Sequence, residues 1–267
     1  MLRLGHILYS NCFPVHAGLI DRGLPPGVSL VRGIPSDLNR QLAAGALDVA
    51  PSSSIEFARH ADRYRILPDL VIGSRGPVQS ILLIGRPPQA LDGRRVALST
   101  ASATSVVLLK ILCRVRWNVR PEFFPFDQIR EDPFAAGAEA ALFIGDVALR
   151  PDLRPQAEAR IDLGREWNEQ TGLPFAFAVW QVSGGEPAAL RRLHAALIES
   201  RAYGLTHGRE LAQRHAGAFG LPAPFLEQYW ANLAFVLDEP MQEGLKQFYR
   251  LAVEAGELPA APALRWL

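Results

Sequence analysis

The residues in this chain whose type and spacing could do chemistry are small, neutral and polar, and they gather where apolar runs end. Ser99, Thr100, Ser102, Thr104 and Ser105 crowd the middle of VALSTASATSVVLLKIL (96–112), a β-branched run followed by a hydroxyl-rich loop and an apolar helical run. One hydroxyl is enough to cap a helix, and here there are five. The first backbone N–H groups of a helix are unpaired and carry partial positive charge, so surplus hydroxyls at that point suit an anion. The plainer alternative is an over-capped surface helix. Similar groups recur at Ser10 and Asn11, at Ser52, Ser53 and Ser54, at Ser80 and at Asp146. Hydroxyls, an amide and helix starts fit carboxylates better than cations or apolar ligands. Nothing beside them supplies the positive charge that a phosphate would favour.

Strands and helices in alternation must position these groups. Residues 2–8 read as a strand with Tyr9, Ser10 and Asn11 at its carboxyl end, the place where ligands bind in open α/β sheets. Strands follow at 28–32 and 47–50, with a helix capped by Ser36 between them and another opened by Ser52–Ser54. This βαβαβα order predicts a parallel sheet with right-handed crossovers. Residues 67–73 and 78–85 read as extended, and Pro87-Pro88 punctuates the chain before a second βα nucleus begins at 96. Further strands are expected at 122–126, 140–144 and 175–182, and beyond Pro187 apolar residues take helical spacing. The runs 78–85 and 175–182 bracket an inserted unit. The layout is that of type 2 periplasmic-binding-protein-like folds. Lobe 1 is expected over 1–86 and 178–267, with the helical C-terminal region packed on it. Lobe 2 is expected over 87–177, with a ligand cleft expected between the lobes.

Composition removes several classes of function. The 267 residues carry a net charge of +1, which gives nucleic acid or an anionic membrane no global attraction. No run of about 18 apolar residues suggests a membrane span, the opening MLRLGHILYSN lacks the form of a signal peptide, and a cytoplasmic protein is expected. Cys12 and Cys113 fit no metal or disulfide spacing and read as buried small hydrophobes. There is no G-x-G-x-x-G after the first strand, no P-loop, no H-E-x-x-H and no C-x-x-C. The six histidines are scattered; His6 and His16 flank the Asn11 turn and read as structural. Tyr9, Phe13 or Trp167 could cover a ring, although each alone fits a core as well.

Seven blocks resemble the futalosine-pathway chorismate dehydratases of menaquinone biosynthesis: ILYSNCFP (7–14), PSDLNRQLAAGALDVAPSSSIEFAR (35–59), YRILP (64–68), GPVQSILL (76–83), LDGRRVALSTASATSVVLLKIL (91–112), ALFIGDVAL (141–149) and EWNEQTGLPFAFAVW (166–180). The resemblance implies loss of water from chorismate to give 3-(1-carboxyvinyloxy)benzoate, with no cofactor and no metal. It places Asn11 and Ser80 in catalysis and Ser52, Ser53, Ser102, Thr104, Ser105 and Asp146 in substrate binding. None of these hydroxyl or amide groups is a competent base near neutral pH, so the substrate's own enolpyruvyl carboxylate is expected to take the proton. The chain has Leu8-Tyr9-Ser10-Asn11 where the family has Ser-Tyr-Leu-Asn, which displaces one hydroxyl across Tyr9. The expected partner is a small dicarboxylate, chorismate, and neither nucleic acid nor membrane; a homodimer stays open. The rival readings are 1,4-dihydroxy-6-naphthoate synthase, which is expected to open with a Pro-Asn-Asp-Thr type of turn, and a carboxylate-binding or sensing protein without catalysis.

Overall fold

A computed structural model describes residues 1–154 and 156–267. In chain order the elements are β1 (Leu2–Ile7), α1 (Phe13–Arg22), β2 (Val28–Gly33), α2 (Pro35–Ala43), β3 (Val49–Ser53), α3 (Ser54–Arg59), β4 (Arg65–Ser74), β5 (Ile81–Gly85), β6 (Arg95–Ser99), α4 (Ala103–Val115), β7 (Glu122–Phe126), β8 (Ala140–Ile144), β9 (Ala159–Asp162), α5 (Leu163–Thr171), β10 (Phe175–Val182), α6 (Pro187–Thr206), α7 (Gly208–Phe219), α8 (Ala223–Asn232), β11 (Leu233–Ala234) and α9 (Glu239–Glu254). The chain divides into two compact units. The first comprises Met1–Gly73, Ala176–Glu239 and Pro262–Leu267, and the second Ser74–Phe175 and Pro240–Ala261.

Among the described residues each unit is built on one sheet. The first unit's strands run in the order β11-β4-β10-β3-β1-β2. β1 pairs in parallel with β2 and β3, so their carboxyl ends share one edge, whereas β10 returns antiparallel to β3 with Val179 opposite Ser52. All eight residues of β10 are buried, as expected of a central strand covered on both faces. Gly204 of α6 lets the backbone of α1 approach closely, since a Cβ there would stand 1.9 Å from the Pro14 carbonyl oxygen. The second unit's order is β7-β6-β8-β5-β9, with β6 parallel to β8 and β5 antiparallel to both β8 and β9.

Several expectations are corrected. The crossing into the second unit comes at Ser74 rather than after Arg86, because the apolar run ILLIG is hydrogen-bonded between β8 and β9 and is an inner strand of the second sheet. The C-terminal helices do not all stay with the first unit. α9 belongs to the second, where Phe248 packs edge-on against Trp167 and Phe175, and Gly244 abuts the Pro174 carbonyl. Neither sheet is purely parallel. Ser36 does not cap α2, which starts one residue earlier at Pro35 with Ile34 in the cap position, a start that proline's fixed φ favours. Ser52 and Ser53 close β3, and the expected helix opens directly after them at Ser54, with Ser53 in the N-cap position but making no side-chain cap hydrogen bond. Trp167 and Phe13 are core: Trp167 is fully buried with its Nε1–H on the Pro174 carbonyl, and Phe13 stacks on Trp230.

Candidate functional site

In the first unit, Asn11 lies in a single 3-10 turn, Ser10–Cys12, between β1 and α1. Its side-chain Oδ1 is buried with no hydrogen-bond partner, which costs about 1–3 kcal/mol and must be sustained by the rest of the turn. Three kinds of contact hold that turn. Trp230 of α8 donates Nε1–H to the Ser10 carbonyl at 2.8 Å and stacks on Phe13, and His215 lies 4.4 Å from the Phe13 ring. Beneath the turn, His6 of β1 and His16 of α1 bond through their Nδ1 atoms at 2.7 Å, and Cys12 lies beside them. Trp180 of β10 donates Nε1–H to His16 Nε2 at 3.3 Å. Burial pushes the His6 pKa down to about 4, helped by the charge of neighbouring Arg32, and pushes His16 well below the usual imidazole range. Both rings are therefore neutral near neutral pH. Burial also pushes the Cys12 thiol up to about 12.

Ser52 and Ser53 end β3 at the same sheet edge, but their surroundings are internal. Ser52 Oγ donates to Asn39 Oδ1 of α2 at 2.5 Å, and the Ser53 amide donates to the same oxygen at 3.2 Å. Gln181 of β10 donates Nε2–H to the carbonyls of Ser52 and Ser53, while its Oε1 is buried without a partner. Ser54 Oγ donates to the Ala176 carbonyl.

In the second unit, the strand order brings Ser80, Asp146 and the hydroxyls at the start of α4 to adjacent strand ends. Ser80 is fully buried just ahead of β5, and its carbonyl accepts the Gly145 N–H at 2.8 Å, which ties it to the Gly145–Val147 turn carrying Asp146. The turn before Ser80 is strained, with Gln79 at φ 64°. A single carboxylate holds it in place. Asp162 accepts from Val78 N at 3.0 Å, Gln79 N at 2.6 Å, Gly164 N at 2.9 Å and Arg165 N at 3.1 Å, so it caps α5 and pins the turn together. Gly164 must be glycine for this approach, because a Cβ would stand 2.7 Å from the Gly76 carbonyl oxygen.

The hydroxyls around α4 divide into two groups. Ser99 Oγ donates to Gln128 Oε1 and Thr100 Oγ1 to the Phe126 carbonyl, so these two serve the framework. Ser102 caps the helix, accepting from Ser105 N at 3.4 Å, and its Oγ lies 3.1 Å from Ser105 Oγ; Thr104 and Ser105 are buried. Gln128 also bonds both the N–H and the carbonyl of Ile144, which fastens the end of β6 to the end of β8. Asp162, Gln128, Gln181, Trp180 and Trp230 were not singled out by sequence reasoning as organisers of these turns. A lone Gln within the apolar FAFAVWQV was the one available signal. Of the histidines, His6 and His16 are drawn into a buried pair, while His194 is half-buried on the Pro68 carbonyl.

Comparison with known proteins places these turns in context. The family profile described as menaquinone biosynthesis matches residues 2–254. A chorismate dehydratase of Thermus thermophilus is 33% identical, the match spanning 97% of this chain and 96% of that protein. A 1,4-dihydroxy-6-naphtoate synthase of the same organism is 30% identical across 82% of this chain and 79% of its own length. Among solved structures, the periplasmic aliphatic sulphonate binding protein of Escherichia coli superposes with a TM-score of 0.62 at 18% identity, covering all of this chain and 93% of its own. That likeness establishes a periplasmic-binding-protein-like fold. No helix among the described residues is long and apolar enough to cross a membrane.

Proposed function

Because the chain belongs to the menaquinone-biosynthesis family, we propose that it is a chorismate dehydratase, a carbon–oxygen lyase that acts in the futalosine route in the cytoplasm. The near full-length likeness to a chorismate dehydratase carries this reading, and the buried, unpartnered Asn11 Oδ1 supports it from the geometry. In the reaction, the ring carbon bearing the enolpyruvyl ether loses its proton, the neighbouring carbon–hydroxyl bond breaks, and water leaves as the ring becomes aromatic. The ring carboxylate spreads the carbanion's charge through the diene, so donors aimed at that carboxylate lower the barrier.

Asn11 and Ser80 are the proposed catalytic pair. In this proposal Asn11 Oδ1, which lacks a donor, accepts from a substrate hydroxyl, and the side-chain amide N–H orients a carboxylate. Ser80 assists departure of the hydroxyl. The substrate's enolpyruvyl carboxylate takes the proton, since neither side chain is basic enough. Ser52, Ser53, Ser102, Thr104, Ser105 and Asp146 are proposed to bind substrate; for Ser52 this is through the arrangement of its turn, because its hydroxyl hydrogen is already given to Asn39.

Incubating the pure protein with chorismate tests the proposal. An aromatic product one water lighter supports it. Tight binding of chorismate without turnover would favour a sensing protein, and indifference to chorismate would favour the sister synthase, whose relative is 30% identical across 82% of this chain.

A further inference from the structure

His6, Cys12 and His16 offer three buried ligand atoms within 4.8 Å of one another, a grouping that invites a metal. Hydrogen placement argues against it. The indole Nε1–H of Trp180 can only donate, so His16 Nε2 must accept and carries no hydrogen. A neutral His16 then has its hydrogen on Nδ1, which lies 2.7 Å from His6 Nδ1 and donates to it. His6 in turn carries its own hydrogen on Nε2. A metal bridging both Nδ1 atoms and Cys12 Sγ would need a bare Nδ1 on His16 and hence a hydrogen on Nε2, facing the hydrogen of Trp180. The Cys12 thiol, deep in the same apolar setting, also keeps its proton.

We infer that Trp180, His16 and His6 form a one-way hydrogen-bond chain that positions the Asn11 turn, with His16 locked in its Nδ1–H form. The chain joins the strand before the turn to the helix after it, ten residues apart, and Cys12 of the turn rests beside both rings. Asn11 Oδ1 gains nothing from its own surroundings until substrate arrives, so the turn needs support from below. A chain with one direction supplies that support in a single geometry. These residues are positioning residues, and the inference rests on Asn11 being catalytic.

The test begins with nitrogen-15 NMR on the full chain labelled at histidine, near neutral pH. His16 is expected as the Nδ1–H tautomer and His6 as the Nε2–H tautomer, and added zinc is expected to leave both resonances in place. Trp180→Phe keeps the ring but removes the donor, and is expected to lower kcat about 10- to 100-fold while KM changes less than about threefold. His16→Gln can accept from Trp180 through its amide oxygen and donate to His6 through its amide nitrogen, and is expected to retain kcat within a few-fold, whereas His16→Leu is not. An Nε2–H tautomer at His16, one tightly held zinc per chain, or wild-type kcat in Trp180→Phe would each overturn the inference. The tautomers are read without substrate, so their failure is distinct from a failure of chorismate turnover.

Discussion

The turns that carry Asn11 and Ser80 solve the same problem by opposite means. Each holds a small polar residue at a strand boundary in a conformation that its own side chain does not pay for. Asn11 is held by neutral groups: two imidazoles, two indoles and a stacked phenyl ring. The turn that leads into Ser80 is held by one carboxylate that gathers four backbone N–H groups, one of them from a residue in left-handed backbone. The neutral scaffold shapes its turn by packing and by the direction of hydrogen bonds. The charged scaffold concentrates its support on one side chain, so single substitutions should separate the two.

The largest effect is expected at Asp162. Asp162→Ala leaves four N–H groups without their acceptor and should destabilise the protein by about 2–4 kcal/mol, which denaturant melts would measure. Asp162→Asn, which keeps one acceptor oxygen, should fall between. Gln79→Gly should recover about 0.5–1 kcal/mol of the loss, because glycine takes φ 64° without strain. A mild Asp162→Ala phenotype would mean that Ser80 is held by something other than this carboxylate.

Asn11 should show the reverse pattern, in which activity is lost and stability is not. Asn11→Ala is expected to cut chorismate turnover about 100-fold or more, by analogy with removal of one preorganised polar group at a reacting centre. It should leave the melting temperature unchanged or raised, since the variant no longer buries an unpaired carbonyl. Joint loss of stability and activity would show that Asn11 is part of the framework.

Stability should also depend on pH through the two histidines that support the first turn. In the folded chain His6 has a pKa of about 4, against about 6.5 when unfolded, so the unfolded state binds the extra proton first as pH falls. The His6 contribution to stability is fully present above about pH 6.5 and is lost progressively down to about pH 4, at a cost of about 2 kcal/mol between pH 7 and pH 5. His16 acts in the same direction. Denaturant melts at pH 5 and pH 7.5 check it, and His6→Gln should reduce the difference, leaving the part that His16 contributes; an unaltered slope in that variant would place the acid sensitivity elsewhere.

The two scaffolds differ in how far the sequence revealed them. Strand ends are legible where apolar runs stop at Ser or Asn, as they do before Ser10-Asn11 and Ser99, whereas Ser80 stands out only as a polar residue within the run 78–85. Local punctuation puts the second-unit boundary too late, because Pro87-Pro88 is a stronger signal than Ser74-Arg75-Gly76, whereas pairing partners decide to which sheet a strand belongs. The supports were hidden for a similar reason. Asp162 lies 83 and 84 residues from the two amides of the turn it pins, Trp230 lies 220 from Ser10, and Trp180 lies 164 from His16; nothing in local spacing encodes such pairs. His215 of α7 is a further case, since its ring rests on Phe13, 202 residues away (215 − 13).

The smallest effect expected is at Trp230, and it asks whether the upper and lower supports of the Asn11 turn act separately. Trp230→Phe preserves an aromatic ring over Phe13 but removes the N–H given to the Ser10 carbonyl. The loss of one buried hydrogen bond should cost about 1 kcal/mol. If the two supports are independent, a double variant with Trp180→Phe should lose stability additively, because separate contacts without shared partners add within about 0.5 kcal/mol. If the turn is clamped as one body, the second substitution should cost measurably less than the first, since the first has already loosened the turn on which both supports act.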